Sequence, residues 1–256
     1  MARKAGGVLV VALVALVAMQ GVQAGEWKHG VGTGFFALNF DGDLGLDTIG
    51  GPVTADVDLD NGDVWDRMES AFGFSAFSAK GKWRIMYGAG FLELEGDGSG
   101  TILGPTSASL TPNLTAIKAN LTVAYNFANT DRNHFGVLFG TEYTKHDWEI
   151  DLTVGMTDLK REFDHDWTDA VLGLTHALTI SEKVAWTNRI QGGFGGSEGT
   201  AMFNTGINWQ VAQHWTLKFF LQNTAVEFEN DDEGDPEWYL YDMDEFGAGF
   251  GAAYIF

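Results

Sequence analysis

The sequence contains no cysteine, which excludes disulfides, thiolate metal sites and a thiol nucleophile. Proline is also scarce, with 4 in 256 residues. Basic residues are few: 15 Lys and Arg stand against 35 Asp and Glu, for a formal charge of −20. Nucleic acid is excluded as a partner on that balance, because phosphate binding needs clustered Lys and Arg. Beyond the N-terminus there is no apolar run of about 18 residues, so the rest of the chain does not cross a membrane as helices.

What is present begins with the N-terminus. Arg3 and Lys4 precede the apolar stretch GGVLVVALVALVAM, followed by QGVQA with Val22 and Ala24 placed for a cut. This layout is that of a secretory signal peptide, and its apolar core is short for a membrane span. We expect residues 1–24 to be cleaved after Ala24, leaving a single domain over 25–256. Losing Arg3 and Lys4 takes the formal charge from −20 to −22.

The last ten residues, GAGFGAAYIF, alternate. Phe246, Ala248, Phe250, Ala252, Tyr254 and Phe256 fall on one side, and Gly247, Gly249, Gly251, Ala253 and Ile255 on the other. Successive side chains of a strand point to opposite faces, so this segment has one aromatic face and one nearly bare face. The same period recurs upstream. Phe135, Val137, Phe139, Thr141 and Tyr143 alternate with Gly136, Leu138, Gly140, Glu142 and Thr144, and Phe203, Thr205, Ile207 and Trp209 with Asn204, Gly206 and Asn208. Period two over about ten residues is a strand signal of membrane-spanning length.

The pattern predicts strands near 30–41, 67–79, 82–95, 114–128, 134–150, 165–180, 183–195, 199–211, 215–229 and 243–256. Connections alternate between tight turns and longer segments at 42–66, 96–113, 151–164 and 230–242 that are mostly rich in Asp, Gly and Pro. The expected fold is all-β: a closed, antiparallel, up-and-down transmembrane barrel of ten strands, or eight if 30–60 pairs differently. Turns are short on one rim, which also holds both chain ends, and acidic loops are longer on the other. The polar faces bring Glu69, Arg84, Lys118, Glu142, Asp169, Arg189, Lys218 and Glu245 toward the lumen. Buried charges of both signs call for ion pairing there, unless some lie at the rims in solvent.

The leader, the alternating strands and the terminal Gly251-Ala252-Ala253-Tyr254-Ile255-Phe256 together resemble a Gram-negative outer-membrane β-barrel protein. The resemblance implies short periplasmic turns, extracellular loops and residence in the bacterial outer membrane. It also implies contact with outer-membrane lipid and lipopolysaccharide. Gly251, Tyr254 and Phe256 resemble the signal read by the barrel-assembly machinery. We expect a monomer without cofactor, non-enzymatic, acting as an envelope structure or a narrow, porin-like passage.

Two constellations offer chemistry. Asp56, Asp58, Asp60 and Asp63 form an acidic run that could hold a divalent cation such as Ca²⁺, or simply keep an exposed rim solvated. The tripeptides His146-Asp147-Trp148 and His165-Asp166-Trp167 bracket the 151–164 segment. If that hairpin closes symmetrically, His146 faces Trp167 and Trp148 faces His165. Outer-membrane proteases and small lipid-A-modifying barrels also carry such residues at their outer mouth, which makes a rim hydrolase using His146, Asp147, His165 and Asp166 the rival reading. Those proteases separate Asp and His by one residue, whereas Asp164 and His165 are adjacent here. The bland reading is an interfacial aromatic girdle, joined by Trp27, Trp65, Trp83, Trp186, Trp209, Trp215 and Trp238. A soluble secreted barrel with its apolar faces turned inward around a hydrophobic ligand is a third expectation.

Overall fold

The computed structural model describes residues 27–48, 51–96, 98–101, 107–154, 157–235 and 237–256; the expected leader lies outside them. Ten strands close the barrel: β1 (Lys28–Thr48), β3 (Met68–Lys80), β4 (Trp83–Glu95), β6 (Ser107–Asn129), β7 (Asn133–Val154), β8 (Thr157–Ser181), β9 (Val184–Phe194), β10 (Gly199–Gln210), β11 (Trp215–Asn230) and β12 (Tyr239–Ile255). Each neighbour pair is antiparallel, and β12 returns to β1 along Gly30–Leu46. Two further strands, β2 (Gly51–Leu59) and β5 (Gly98–Thr101), pair only with the outer parts of β1 and β6. The ten-strand expectation holds. The outer segments differ from the expected loops: β1–β2, β6 and the β7–β8 hairpin continue as paired ladder well past the alternating apolar stretch.

The alternation sorts the side chains as read. Phe72, Phe74, Phe139, Leu172, Phe203, Phe219, Phe246 and Phe250 are exposed on the outer surface. That register rules out a soluble barrel with apolar faces turned inward. In a bilayer these side chains meet hydrocarbon, and their backbone groups are satisfied by neighbouring strands, as a closed barrel requires. Of the expected girdle, Trp27, Trp65, Trp83, Trp186, Trp209 and Trp215 are exposed, but Trp238 is 2% exposed and lies against Gly45, where a Cβ would collide with its ring.

The lumen is filled. Nearer the short-turn rim, Phe77, Met86, Ala124, Leu138, Phe220 and Ala253 form a buried apolar layer, with Phe36 and Ile255 against it. Glycine lets this wall close up: at Gly140 a Cβ would strike the Leu121 carbonyl of the adjacent strand. Toward the long rim two more apolar clusters follow, one around Tyr239, Tyr241, Trp167 and Phe228, the other around Val64, Leu94 and Leu114. Val64 belongs to a short helix, α1 (Asn61–Arg67), where an acidic loop was expected. Asp60 caps it: its Oδ1 accepts from Gly62 N at 2.7 Å and Asp63 N at 3.0 Å, and Asp63 Oδ2 accepts from Asp60 N at 3.3 Å.

Candidate functional site at the outer mouth of the barrel

Hydrogen-bond register decides what the two tripeptides do. His146 stands opposite His165, Trp148 opposite Phe163 and Thr144 opposite Trp167, a register displaced by two residues from the symmetrical closure. Period two then turns His146, Trp148, His165 and Trp167 into the lumen and Asp147 and Asp166 outward. Trp148 and Trp167 are therefore not girdle residues. The girdle reading fails for them because parity on β7 and β8, set by the inward Leu138 and Val171, places them inside.

Tyr239 organises the site. Its hydroxyl meets His146 Nδ1 at 2.8 Å and accepts from Trp148 Nε1 at 3.2 Å. The His165 ring stacks parallel on the Tyr239 ring with centroids 4.5 Å apart. Trp167 stacks on Phe228 at 4.2 Å, and the Tyr241 ring stands edge-on to His146 at 4.7 Å. Tyr239 and His146 have essentially no exposure, at 0% and 1%. His165 Nε2 is buried without a hydrogen-bond partner among the described residues.

This cluster stands above the hydrocarbon. At its level the outer face of β7 and β8 carries Lys145, whose Nζ is 2.7 Å from Asp147 and 4.0 Å from Asp164. Burial holds the His146 imidazole at a pKa of about 3, with Lys118 and His165 adding to the effect. Burial also lowers His165, against the opposing pull of Asp164. The Tyr239 hydroxyl is pushed upward by burial. Both histidines are thus neutral near pH 7; His146 Nδ1 meets a hydroxyl rather than a carboxylate, and His165 Nε2 has no hydrogen-bond partner among the described residues. An acid–base couple of the Asp–His kind needs direct contact of about 3 Å, which the outward turn of Asp147 and Asp166 prevents within each tripeptide.

Below the aromatic cluster lies the polar layer. Lys118 Nζ contacts both carboxylate oxygens of Glu245 at 2.6 Å, and Tyr241 donates its hydroxyl to Glu245 Oε1 at 2.9 Å. Arg189 reaches Glu142 through Gln191: Arg189 Nε donates to Gln191 Oε1 at 2.8 Å, and Gln191 Nε2 donates to Glu142 Oε2 at 3.3 Å. Lys218 donates to Asn204 and lies over the Phe220 ring. Asp169 accepts from Gly196 N, Ser197 N and Ser197 Oγ, tying the 195–198 turn to β8. Arg84 is buried and pairs with no carboxylate among the described residues. Glu69 is exposed rather than in the lumen, because a register shift between Met68 and Ser70 takes it out of the inward series.

The acidic run is dispersed by the fold. Asp56 and Asp58 lie on β2, while Asp60 and Asp63 engage the start of α1. Among the described residues no group of three or more His, Asp or Glu side chains is placed to hold a metal ion. The outer strands nevertheless bring like charges into register: Asp56 opposes Asp43, Asp43 opposes Asp242, and Asp242 opposes Glu227. At the chain terminus, Phe256 and His29 exchange backbone hydrogen bonds at 2.9 and 3.1 Å.

The structure is similar to the outer membrane protease OmpT from Escherichia coli, with 8% sequence identity and a TM-score of 0.55, covering 93% of this chain and 99% of that one. The translocator domain of the autotransporter NalP from Neisseria meningitidis overlaps less well, with 10% identity and a TM-score of 0.48 over 90% of this chain and 88% of that one. No protein-family model and no curated protein sequence matches the chain. At such identity the likeness is one of fold, and the fold is that of the outer-membrane β-barrels, here with ten strands.

Sequence reasoning found both histidines but missed Tyr239, which holds them. Its signal was weak, since Tyr239 lies in a stretch read as loop (230–242). The Asp60-Asn61-Gly62-Asp63 run carried a clearer signal for α1, an N-cap acid followed three residues later by a second acid.

Proposed function

We propose that this chain is a non-enzymatic barrel of the bacterial outer membrane, acting as an envelope scaffold that raises an acidic strand crown above the bilayer. The observation that carries this reading is the buried layer of Phe77, Met86, Leu138 and Phe220 across the lumen, with Phe36 packed on it. These bulky side chains fill much of the lumen and leave ions little room beside the buried Arg84, Lys218 and Asn208. The crown consists of paired strands rather than free loops, which suits display. Planar-bilayer recording with the purified protein tests the reading. No current steps are expected, and reproducible single-channel openings would replace the scaffold with a pore.

Three associations belong to the same proposal. Outer-membrane lipid covers the exposed aromatic faces. Lipopolysaccharide phosphates approach the carboxylates of Asp43, Asp56, Asp242 and Glu227 only with divalent cations between them. The barrel-assembly machinery engages β12 through Gly251, Tyr254 and Phe256. Phe256→Ala is expected to lower the amount of assembled barrel severalfold while leaving the fold of purified, refolded protein unchanged. Equal membrane levels for the two forms would remove that role.

The rival rim-hydrolase reading is favoured by one observation, the direct opposition of His146 and His165. Peptide and lipid A cleavage assays on wild type, His146→Ala and His165→Ala decide it. Activity in wild type that is lost in both variants would displace the scaffold reading.

A further inference from the structure

The barrel wall is closed unequally. β1 and β3 pair only from Lys28 opposite Ala79 to Gly32 opposite Ser75. Beyond that, the Thr33 hydroxyl donates to Gly73 O at 2.9 Å, in place of a ladder bond. β1 finds its next partner on this side at Phe40, opposite Leu59 of β2. Backbone bonds alternate sides along a strand. His29 exchanges both of its bonds with Phe256, so the odd residues of β1 face β12 and the even residues face the β3 side. Gly34, Phe36 and Leu38 therefore present their backbone groups to a gap where the ladder with β3 does not continue.

Helix α1 stands in that gap. Val64 points inward, 2% exposed, among Leu94 and Leu114. Trp65 points outward, with its ring edge-on to Phe35 at 5.4 Å. A pocket of about 400 Å³ separates helix and strand. Its lining includes Phe35 and Ala37 from the outer face of β1 and Phe36 and Leu38 from the inner face. Residues of both faces of one strand can line one pocket where it runs along an unpaired edge of that strand. The pocket thus lies along the unpaired edge of β1, and its volume is in the range of small-molecule sites.

We infer that the β1–β3 seam is a lateral opening that admits one acyl chain of a bilayer lipid, with α1 as its movable closure. The occupant follows from position. Phe35 packs on Phe250 at 5.9 Å on the outer surface, which also carries the exposed Phe72 and Phe74, so the Phe35 side of the pocket faces hydrocarbon, while Asn61 and Asp66 of α1 give the lining a polar part. Inside, Val64 leads to an apolar cluster that includes Phe40, Leu59, Met68 and Trp148, which suits an aliphatic chain and no charged group. α1 is short and is held to its surroundings by apolar contacts and its own cap, so it can shift without breaking a strand ladder.

Photolabelling tests the inference. The mature protein is reconstituted in phosphatidylethanolamine–phosphatidylglycerol vesicles containing a phosphatidylcholine with a diazirine in its acyl chain, then irradiated and mapped by peptide mass spectrometry. Labels are expected on Leu38, Val64 and Met68 as well as on the outer residues Phe35 and Ala37. Filling the pocket with Leu38→Trp is expected to cut labelling of Val64 and Met68 severalfold while labelling of Phe250 stays constant. Labels confined to outward side chains in the wild type would overturn the proposal, whether or not the variant folds. Labelling of the inner set by an added photoreactive fatty acid but not by the phospholipid would also overturn it. The result is independent of conductance, so the scaffold reading and this one fail separately.

Discussion

His146 and His165 face each other across the β7–β8 ladder, and a single side chain, Tyr239 from the far strand β12, holds both. One ring is held by a hydrogen bond and the other by stacking. The outer mouth of the barrel is therefore pinned through one residue whose hydroxyl also serves Trp148.

Tyr239→Phe should expose the value of that hydroxyl. It keeps the stacking on His165 but leaves His146 Nδ1 and Trp148 Nε1 without their shared partner. Stranding buried polar groups costs about 1–3 kcal/mol. The expected outcome is a lower urea midpoint in the folded-barrel gel-shift assay, with a larger loss for Tyr239→Ala.

Acid should weaken the same region. The folded-state pKa of His146 lies near 3, below its ordinary value of 6.5. A group depressed in this way binds protons in the unfolded chain before it does in the folded one. Stability is therefore fully present above about pH 6.5 and falls as pH drops, by up to about 1.4 kcal/mol per unit, until the folded pKa is reached. His165 shifts in the same direction and adds to the slope. Unfolding midpoints measured from pH 7 to pH 4 should show this decline, and His146→Asn should flatten it.

Lys118 and Glu245 should couple strongly. Glu245 is buried and accepts from both Lys118 and Tyr241. Lys118→Met alone leaves a buried carboxylate without its cation, a loss of about 3 kcal/mol. Adding Glu245→Leu should recover most of it. A double-mutant cycle on unfolding free energies provides the check, and additive losses would mean the pair does not act as a unit.

Gly140→Val should block assembly. Any Cβ at this inward position collides with the Leu121 carbonyl of the paired strand. Neither backbone can move without parting β6 from β7. The expected outcome is loss of the heat-modifiable folded band, whereas Thr141→Val, on the outward face next to it, should leave that band intact.

The acidic crown should respond to salt. Asp43 stands between Asp56 and Asp242, and like charges directly opposite in a sheet cost about 0.2–1 kcal/mol. Asp43→Asn should raise stability by about that amount at low ionic strength. The gain should shrink at about 1 M salt, where the screening length falls to about 3 Å. Urea titrations at the two ionic strengths supply the comparison.

Much of this architecture was legible in the chain alone. Phe135, Val137 and Phe139 alternate with Gly136, Leu138 and Gly140, and that period states which side of a wall each residue occupies. The same parity sent Arg84, Lys118, Glu142, Asp169, Arg189, Lys218 and Glu245 inward. It failed at Glu69, where a single shift in register between Met68 and Ser70 breaks the count.

Periodicity along one strand reports the two faces of that strand, because successive side chains alternate whatever the neighbours are. It determined here that the chain makes long strands with one apolar and one polar face, while their number and the outward turn of the apolar faces came from the pairing. Pairing between strands depends on register, closure and where a ladder stops, and these are settled by contacts far apart in sequence. Only the tertiary structure therefore set His146 opposite His165, brought Tyr239 to both, and left the β1–β3 seam to be filled by α1.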